Sequence, residues 1–75
     1  MTSNENKSSR FKRLATNRVN NAVNTLRLIG NLSNTNNYSF DASDVNTIFK
    51  AIDEELTLAK ARFSLVLKRR KKIQI

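Results

Sequence analysis

The chain of 75 residues contains no cysteine, no histidine and no proline, and it has a single glycine. Without cysteine it forms no disulfide, and without cysteine or histidine it lacks the usual ligands of structural zinc. Proline and glycine interrupt helices most strongly, so their scarcity favours a helical chain over a sheet. Small domains usually compensate for a thin core with disulfides, metals or partner subunits. Of these three, a partner subunit is the one that this sequence leaves open.

Long apolar runs are missing as well. The apolar runs of this chain are only a few residues long, whereas a membrane-spanning helix needs roughly 20 apolar residues. The first ten residues are polar throughout and lack the apolar segment of a secretory signal. These features predict a soluble, cytoplasmic protein that does not enter a membrane.

The groups that enzymes use are equally scarce. There is no histidine or cysteine, and no glycine-rich loop for phosphate. The acidic residues Asp53, Glu54 and Glu55 are consecutive, so on a helix their side chains diverge and form an ordinary solvated surface. We therefore expect no catalytic activity, no metal, no cofactor and no small-molecule substrate.

The N-terminal half of the chain has the apolar periodicity of one amphipathic helix. Residues 1–8 are polar without periodicity and predict a disordered lead-in, after which a helix should run from about residue 9 to 29. Ser8 or Ser9 is the expected N-cap. The apolar stripe comprises Phe11, Ala15, Val19, Ala22, Leu26 and Ile29, mostly in steps of four and three. Gly30 should end the helix in a left-handed conformation.

A loop over residues 30–40 and a second helix over about 41–70 should follow, with a basic tail to residue 75. Asn, Ser and Thr occupy residues 33–37, and Asn and Ser favour turns by bonding their own backbone. Asp41 is the predicted N-cap of the second helix, with Asp44 three residues later and Phe40 and Val45 in the positions of a hydrophobic staple. The second apolar stripe comprises Val45, Phe49, Ile52, Leu56, Ala59, Phe63 and Val66.

Two amphipathic helices joined by a short polar loop predict an all-α fold, an antiparallel two-helix hairpin. Small residues of the first stripe would then oppose large ones of the second, such as Ala22 and Phe49. Ile48, Leu58 and Leu28 would stay incompletely covered by a single partner helix. A homodimer that forms a four-helix bundle would cover them.

The net charge of +8 is distributed unevenly along this hairpin. Its open end would hold twelve cations with Glu5 as the one anion, and the loop end would be acidic. Acids at the start and bases at the end of the second helix are what the helix dipole favours. The first helix instead has Arg10, Lys12 and Arg13 in its first turns, where the dipole disfavours cations. A polyanionic partner would relieve the resulting repulsion.

Nucleic acid is the polyanion that this pattern indicates, since lysine and arginine that neutralise phosphates dominate affinity for DNA and RNA. We predict a small, non-catalytic accessory or regulatory protein of the kind found on phages and plasmids. Arg13, Asn17, Asn20, Asn24 and Arg27 also form a stripe of side chains able to bond base edges, or simply a solvated face. The predicted nucleic-acid-binding residues are Arg10, Lys12, Arg13, Asn17, Arg18, Asn20, Asn24, Arg62, Lys68, Arg69, Arg70, Lys71 and Lys72.

Two other functions fit the same features. The basic end could bind an acidic protein surface, which would make the chain an adaptor or inhibitor. The apolar residues Leu65, Val66 and Leu67 on a basic helix could instead lie on anionic lipid. The absence of tryptophan and the strongly polar first helix argue against the lipid hypothesis.

Overall fold

The computed structural model describes residues 5–72, with side chains as far as Arg70. Within that range it contains two α-helices and no strand, α1 (Lys7–Asn31) and α2 (Ala42–Lys72). The all-helical prediction is therefore confirmed for the described residues. The chain divides into two units between Ser39 and Phe40, one around each helix.

Helix α1 begins earlier than the sequence pattern predicts. Its N-cap is Asn6, whose side-chain oxygen accepts a hydrogen bond from the backbone N–H of Ser9 at 2.8 Å. The carbonyl of Asn6 accepts the first helical bond, from the N–H of Arg10, at 2.9 Å. Ser9 is thus the donor at this cap, and Lys7 and Ser8 are helical. Residues 1–4 of the expected lead-in lie outside the described residues.

The end of α1 also differs from the prediction, because Gly30 does not adopt a left-handed conformation. The helix continues through Gly30 to Asn31, and the C-cap is Leu32 in a right-handed conformation. The N–H groups of Leu32 and Ser33 bond the carbonyls of Ile29 and Gly30 at 3.0 and 3.1 Å. In these 3₁₀-type hydrogen bonds each N–H bonds the carbonyl three residues earlier, instead of four as in an α-helix. They satisfy the last carbonyls of the helix, so no left-handed glycine is needed.

Asn34 organises the loop after α1 as its residue type predicts. Its side-chain oxygen accepts a bond from the N–H of Asn36 at 3.0 Å, which is an Asx turn. Its backbone carbonyl accepts from Asn37 at 3.1 Å and from Tyr38 at 3.0 Å. The prediction of a turn stabilised by asparagine is confirmed.

Helix α2 begins with a reciprocal capping box. The side chain of Asp41 accepts a bond from the N–H of Asp44 at 2.9 Å, and the side chain of Asp44 accepts from the N–H of Asp41 at 3.0 Å. Two backbone donors at the start of the helix are thereby satisfied, and Asp44 adds a negative charge in the first turn, where the helix dipole is positive. Asp41 is the N-cap that the sequence predicts.

The apolar stripes of both helices are accessible to solvent. No residue in the described part of the chain is buried, and Val19 of α1 and Leu56 of α2 are 57% and 51% exposed. Only Leu14, Ala15 and Ile29 of α1 and Val45 and Ile52 of α2 are partly covered. Within the described residues, neither helix combines the length and the hydropathy of a membrane span.

Candidate nucleic-acid interface

Helix α1 carries six cations and no acid along its 25 residues. The cations are Lys7, Arg10, Lys12, Arg13, Arg18 and Arg27. Lys7 and Arg10 lie at the N-terminal end, where the helix dipole opposes positive charge, and the last turn, where the dipole would favour it, contains no base. The stability of the helix itself therefore does not account for where its cations lie.

One cation of α1 is bound by an acid that precedes the helix. Nε and Nη2 of Arg13 donate hydrogen bonds to the two carboxylate oxygens of Glu5, at 2.8 and 3.0 Å. This is the bidentate geometry with which arginine also binds phosphate. Among the described residues it is the one salt bridge, so the other five cations of α1 form no ion pair there. The sequence pattern did not reveal it, because the two residues are eight apart.

The pair perturbs the acidity of both groups. The hydrogen bond from Arg13, together with the attraction of its charge, lowers the pKa of Glu5 below its ordinary value. The hydrogen bond to Glu5 raises the pKa of Arg13. Both side chains contact solvent, Arg13 being 54% and Glu5 29% exposed, so the pair is screened by salt.

Three asparagine side chains form a row on α1. We call this row, Asn17, Asn20 and Asn24, the amide face. The steps of three and four residues place them on one side of the helix, away from the stripe that contains Ala15, Val19 and Ala22. All three are exposed. Within the described part of the chain, their side chains make no hydrogen bond. Their donors and acceptors are available to a ligand.

Helix α2 divides into an acidic first half and a basic second half. Asp44, Asp53, Glu54 and Glu55 lie in the first half with Lys50 among them. The second half contains Lys60, Arg62 and five consecutive cations at residues 68–72. We call residues 68–72 the basic run. The predicted residues Arg62, Lys68, Arg69 and Arg70 are exposed. Lys71 and Lys72 are helical in backbone, and their side chains lie outside the described residues.

The predicted binding residues therefore fall into two groups on separate units. Those in α1 are Arg10, Lys12, Arg13, Asn17, Arg18, Asn20 and Asn24, and those in α2 are Arg62, Lys68, Arg69, Arg70, Lys71 and Lys72. Within α1 the helix brings the three asparagines together with Arg13 on one side. The sequence identifies Glu5 as the one anion of the predicted open end, but it does not indicate that this carboxylate binds the guanidinium of Arg13.

The chemistry open to these residues is that of charge and hydrogen bonding. In the part of the chain that the structure describes, no group of three or more acidic, histidine or cysteine residues could hold a metal ion. No protein-family model matches the chain, and the searches of curated proteins and of solved structures also returned no match.

Proposed function

We propose that this chain is a small, non-catalytic protein that binds nucleic acid, chiefly through phosphate contacts made by lysine and arginine. The observation that carries the proposal is the composition of α1, whose six cations have no acid among them. Phosphates would offset the repulsion between these charges, and the release of counterions from the nucleic acid would favour binding. An accessory or regulatory role in the cytoplasm is the context that suits such a protein.

In this proposal the two helices form an antiparallel hairpin. The exposed apolar stripes of α1 and α2 support it, because each would cover the other and remove apolar surface from water. The hairpin would also bring the N-terminal half of α1 and the basic run of α2 to one end. The two groups of predicted binding residues would then form a single positive surface.

The proposal further includes a homodimer that forms a four-helix bundle. Leu28 and Leu58 are 57% and 58% exposed, and neither belongs to the stripe that the partner helix of a hairpin would cover. A second copy would bury them. It would also double the number of phosphates that one particle neutralises, which raises affinity and salt dependence together.

The test is a salt series of binding to nucleic acid, with the basic run altered. The first variant ends after Leu67, and the second keeps the full length but replaces the five cations of the run with glutamine. Each phosphate contact contributes about 0.9 to the slope of log affinity against log salt. If all five contact phosphates, both variants should lose about 4 to 5 from the slope, and affinity near 0.1 M salt should fall by orders of magnitude.

The matched control is Lys50→Gln, which removes a cation from the acidic half of α2 and should leave the slope unchanged. Circular dichroism of each variant verifies that the helices remain. Unchanged affinity and slope in both altered chains would refute the role of the basic run and assign the phosphate contacts to α1. Absence of salt-dependent binding by the full-length chain would refute the proposed function and favour an acidic protein as the partner. Equal binding to vesicles of anionic lipid, with the same salt dependence, would favour the membrane surface instead.

A further inference from the structure

The amide face of α1 has no structural role within the described residues that would explain it. Asparagine inside a helix is less favourable than alanine, because its side chain loses freedom and competes for backbone hydrogen bonds. Asn17, Asn20 and Asn24 lie in the helix interior, and none of them caps an end or bonds the backbone. The helix would be more stable with alanine at each position.

The two helices differ in their asparagine content. Five of the 25 residues of α1 are asparagine, against one of the 31 residues of α2. A compositional bias that acts evenly along the chain does not explain this difference between the helices.

The shape of α1 selects the class of nucleic acid. An exposed α-helix fits the major groove of B-form DNA, which is about 12 Å wide, whereas the major groove of double-stranded RNA is deep and too narrow for side chains to contact base edges. From Arg13 to Arg27 the helix rises about 21 Å. The absence of acids from α1 allows it to lie between two phosphate backbones.

The chemistry of the face selects the base pair. A carboxamide can accept a hydrogen bond from N6 of adenine and donate one to N7, and both groups are exposed in the major groove.

We propose that α1 lies in the major groove of duplex DNA and that Asn20 and Asn24, with Asn17, select A·T base pairs there. This inference rests on the proposed function, because phosphate contacts by the cations of α1 must first hold the helix against the duplex. It adds a partner class, double-stranded DNA, and a sequence preference. The cations supply affinity and the amides supply selectivity.

The experiment compares two DNA duplexes of equal length, one of mixed A·T-rich sequence and one G·C-rich, with an RNA duplex as the third probe. The variant is Asn20→Ala with Asn24→Ala. The control is the double variant Asn21→Ala with Thr25→Ala. These two residues have the same spacing as Asn20 and Asn24, but they lie about 100° away around the helix. The full-length wild type should bind the A·T-rich duplex most tightly. The variant should lose about tenfold or more of this preference, and its salt slope should be unchanged because asparagine carries no charge.

A second arm replaces adenine with 7-deazaadenine, which lacks the N7 acceptor in the major groove and leaves the minor groove unaltered. The wild type should bind this duplex more weakly than the unmodified one, whereas the Asn20/Asn24 variant should not distinguish the two. Because alanine favours the helix, a loss of selectivity in the variant cannot be attributed to unfolding.

The outcomes separate the two proposals. Absence of salt-dependent binding to every probe would refute the proposed function itself. Steep salt dependence without A·T preference, or with a preference that the variant and 7-deazaadenine leave intact, would refute the inference and retain phosphate binding. Equal or tighter binding to the RNA duplex would refute the major-groove assignment.

Discussion

Arg13 differs from the other cations of α1 because its guanidinium already has a bidentate partner. A phosphate that binds this side chain must displace the carboxylate of Glu5 or bind beside it. Displacement exposes both charges to solvent before the new contact forms, so Arg13 should contribute less to affinity than Arg10 or Arg18. The first turns of α1 thus hold both free and occupied cations.

The pKa of Glu5 tests this pair directly. A depressed pKa means that the pair stabilises the folded chain at pH above the ordinary value, and that this contribution disappears as the pH falls through the lowered pKa. Titration of the Glu5 carboxyl by NMR should give a midpoint below 4.5. Arg13→Gln should return it toward the ordinary value, because the hydrogen bond is the largest cause of the shift.

Lys12→Gln is the matched control for that titration, since it removes a neighbouring cation that does not bond Glu5. A Glu5 midpoint that responds equally to both substitutions would mean that the general positive field, rather than the hydrogen bond, sets the pKa. A midpoint at the ordinary value in the wild type would show that the pair does not persist in solution.

Residue-level features were predictable where they depend on neighbours in sequence. The cap at Asp41 and the turn at Asn34 each involve groups within four residues, and residue type alone indicates them. The sequence favours Ser8 or Ser9 as the cap of α1 because both are good cap residues, yet Asn6 is equally good and lies earlier. The Glu5 to Arg13 pair spans eight residues, and no local spacing rule covers it.

At the scale of the helix, the end of α1 shows how a local rule can mislead. Gly30 is the one glycine of the chain, and glycine is the commonest residue in a left-handed cap. Here Leu32 and Ser33 bond the last carbonyls with right-handed geometry. The helix therefore gains one more residue, Asn31, after the glycine.

Substitution of Gly30 distinguishes these two endings. A Cβ added at this position would meet no atom within 4 Å apart from the adjacent residues and the backbone of its own helix turn. Alanine favours a helix interior over glycine by up to about 1 kcal/mol. Gly30→Ala should therefore increase helix content and thermal stability, as measured by circular dichroism. Gly30→Asn is the comparison, because asparagine tolerates a left-handed conformation better than alanine does. Greater stability of the asparagine variant would indicate a left-handed cap.

At the scale of the whole molecule, the sequence predicted the helices, the loop and the distribution of charge along the chain. These follow from periodicity and residue type within short windows. The antiparallel pairing and the dimer depend on contacts between residues far apart in sequence, and they remain proposals. The exposure of both apolar stripes is the physical reason to expect that some partner surface covers them.

Self-association is the prediction that belongs to this scale. Sedimentation at micromolar concentration should give a dimer, and the melting temperature should rise with protein concentration, since the folded dimer is favoured by mass action. Leu58→Asn should weaken the dimer about tenfold or more, because burial of a leucine side chain contributes about 1.5 to 3 kcal/mol. The neighbouring substitution Thr57→Asn should have little effect. A monomer whose melting temperature is independent of concentration would contradict the dimer.

The composition of α1 has a consequence for how the proposed binding of nucleic acid would be controlled. The helix contains no aspartate, glutamate, histidine, cysteine or tyrosine. Histidine is the side chain whose charge ordinarily changes between about pH 5 and 8, so α1 has no such pH-dependent group. If phosphate contacts hold the helix as we propose, ionic strength and competing polyanions should control its binding. Covalent modification that adds negative charge to α1 would weaken the same contacts.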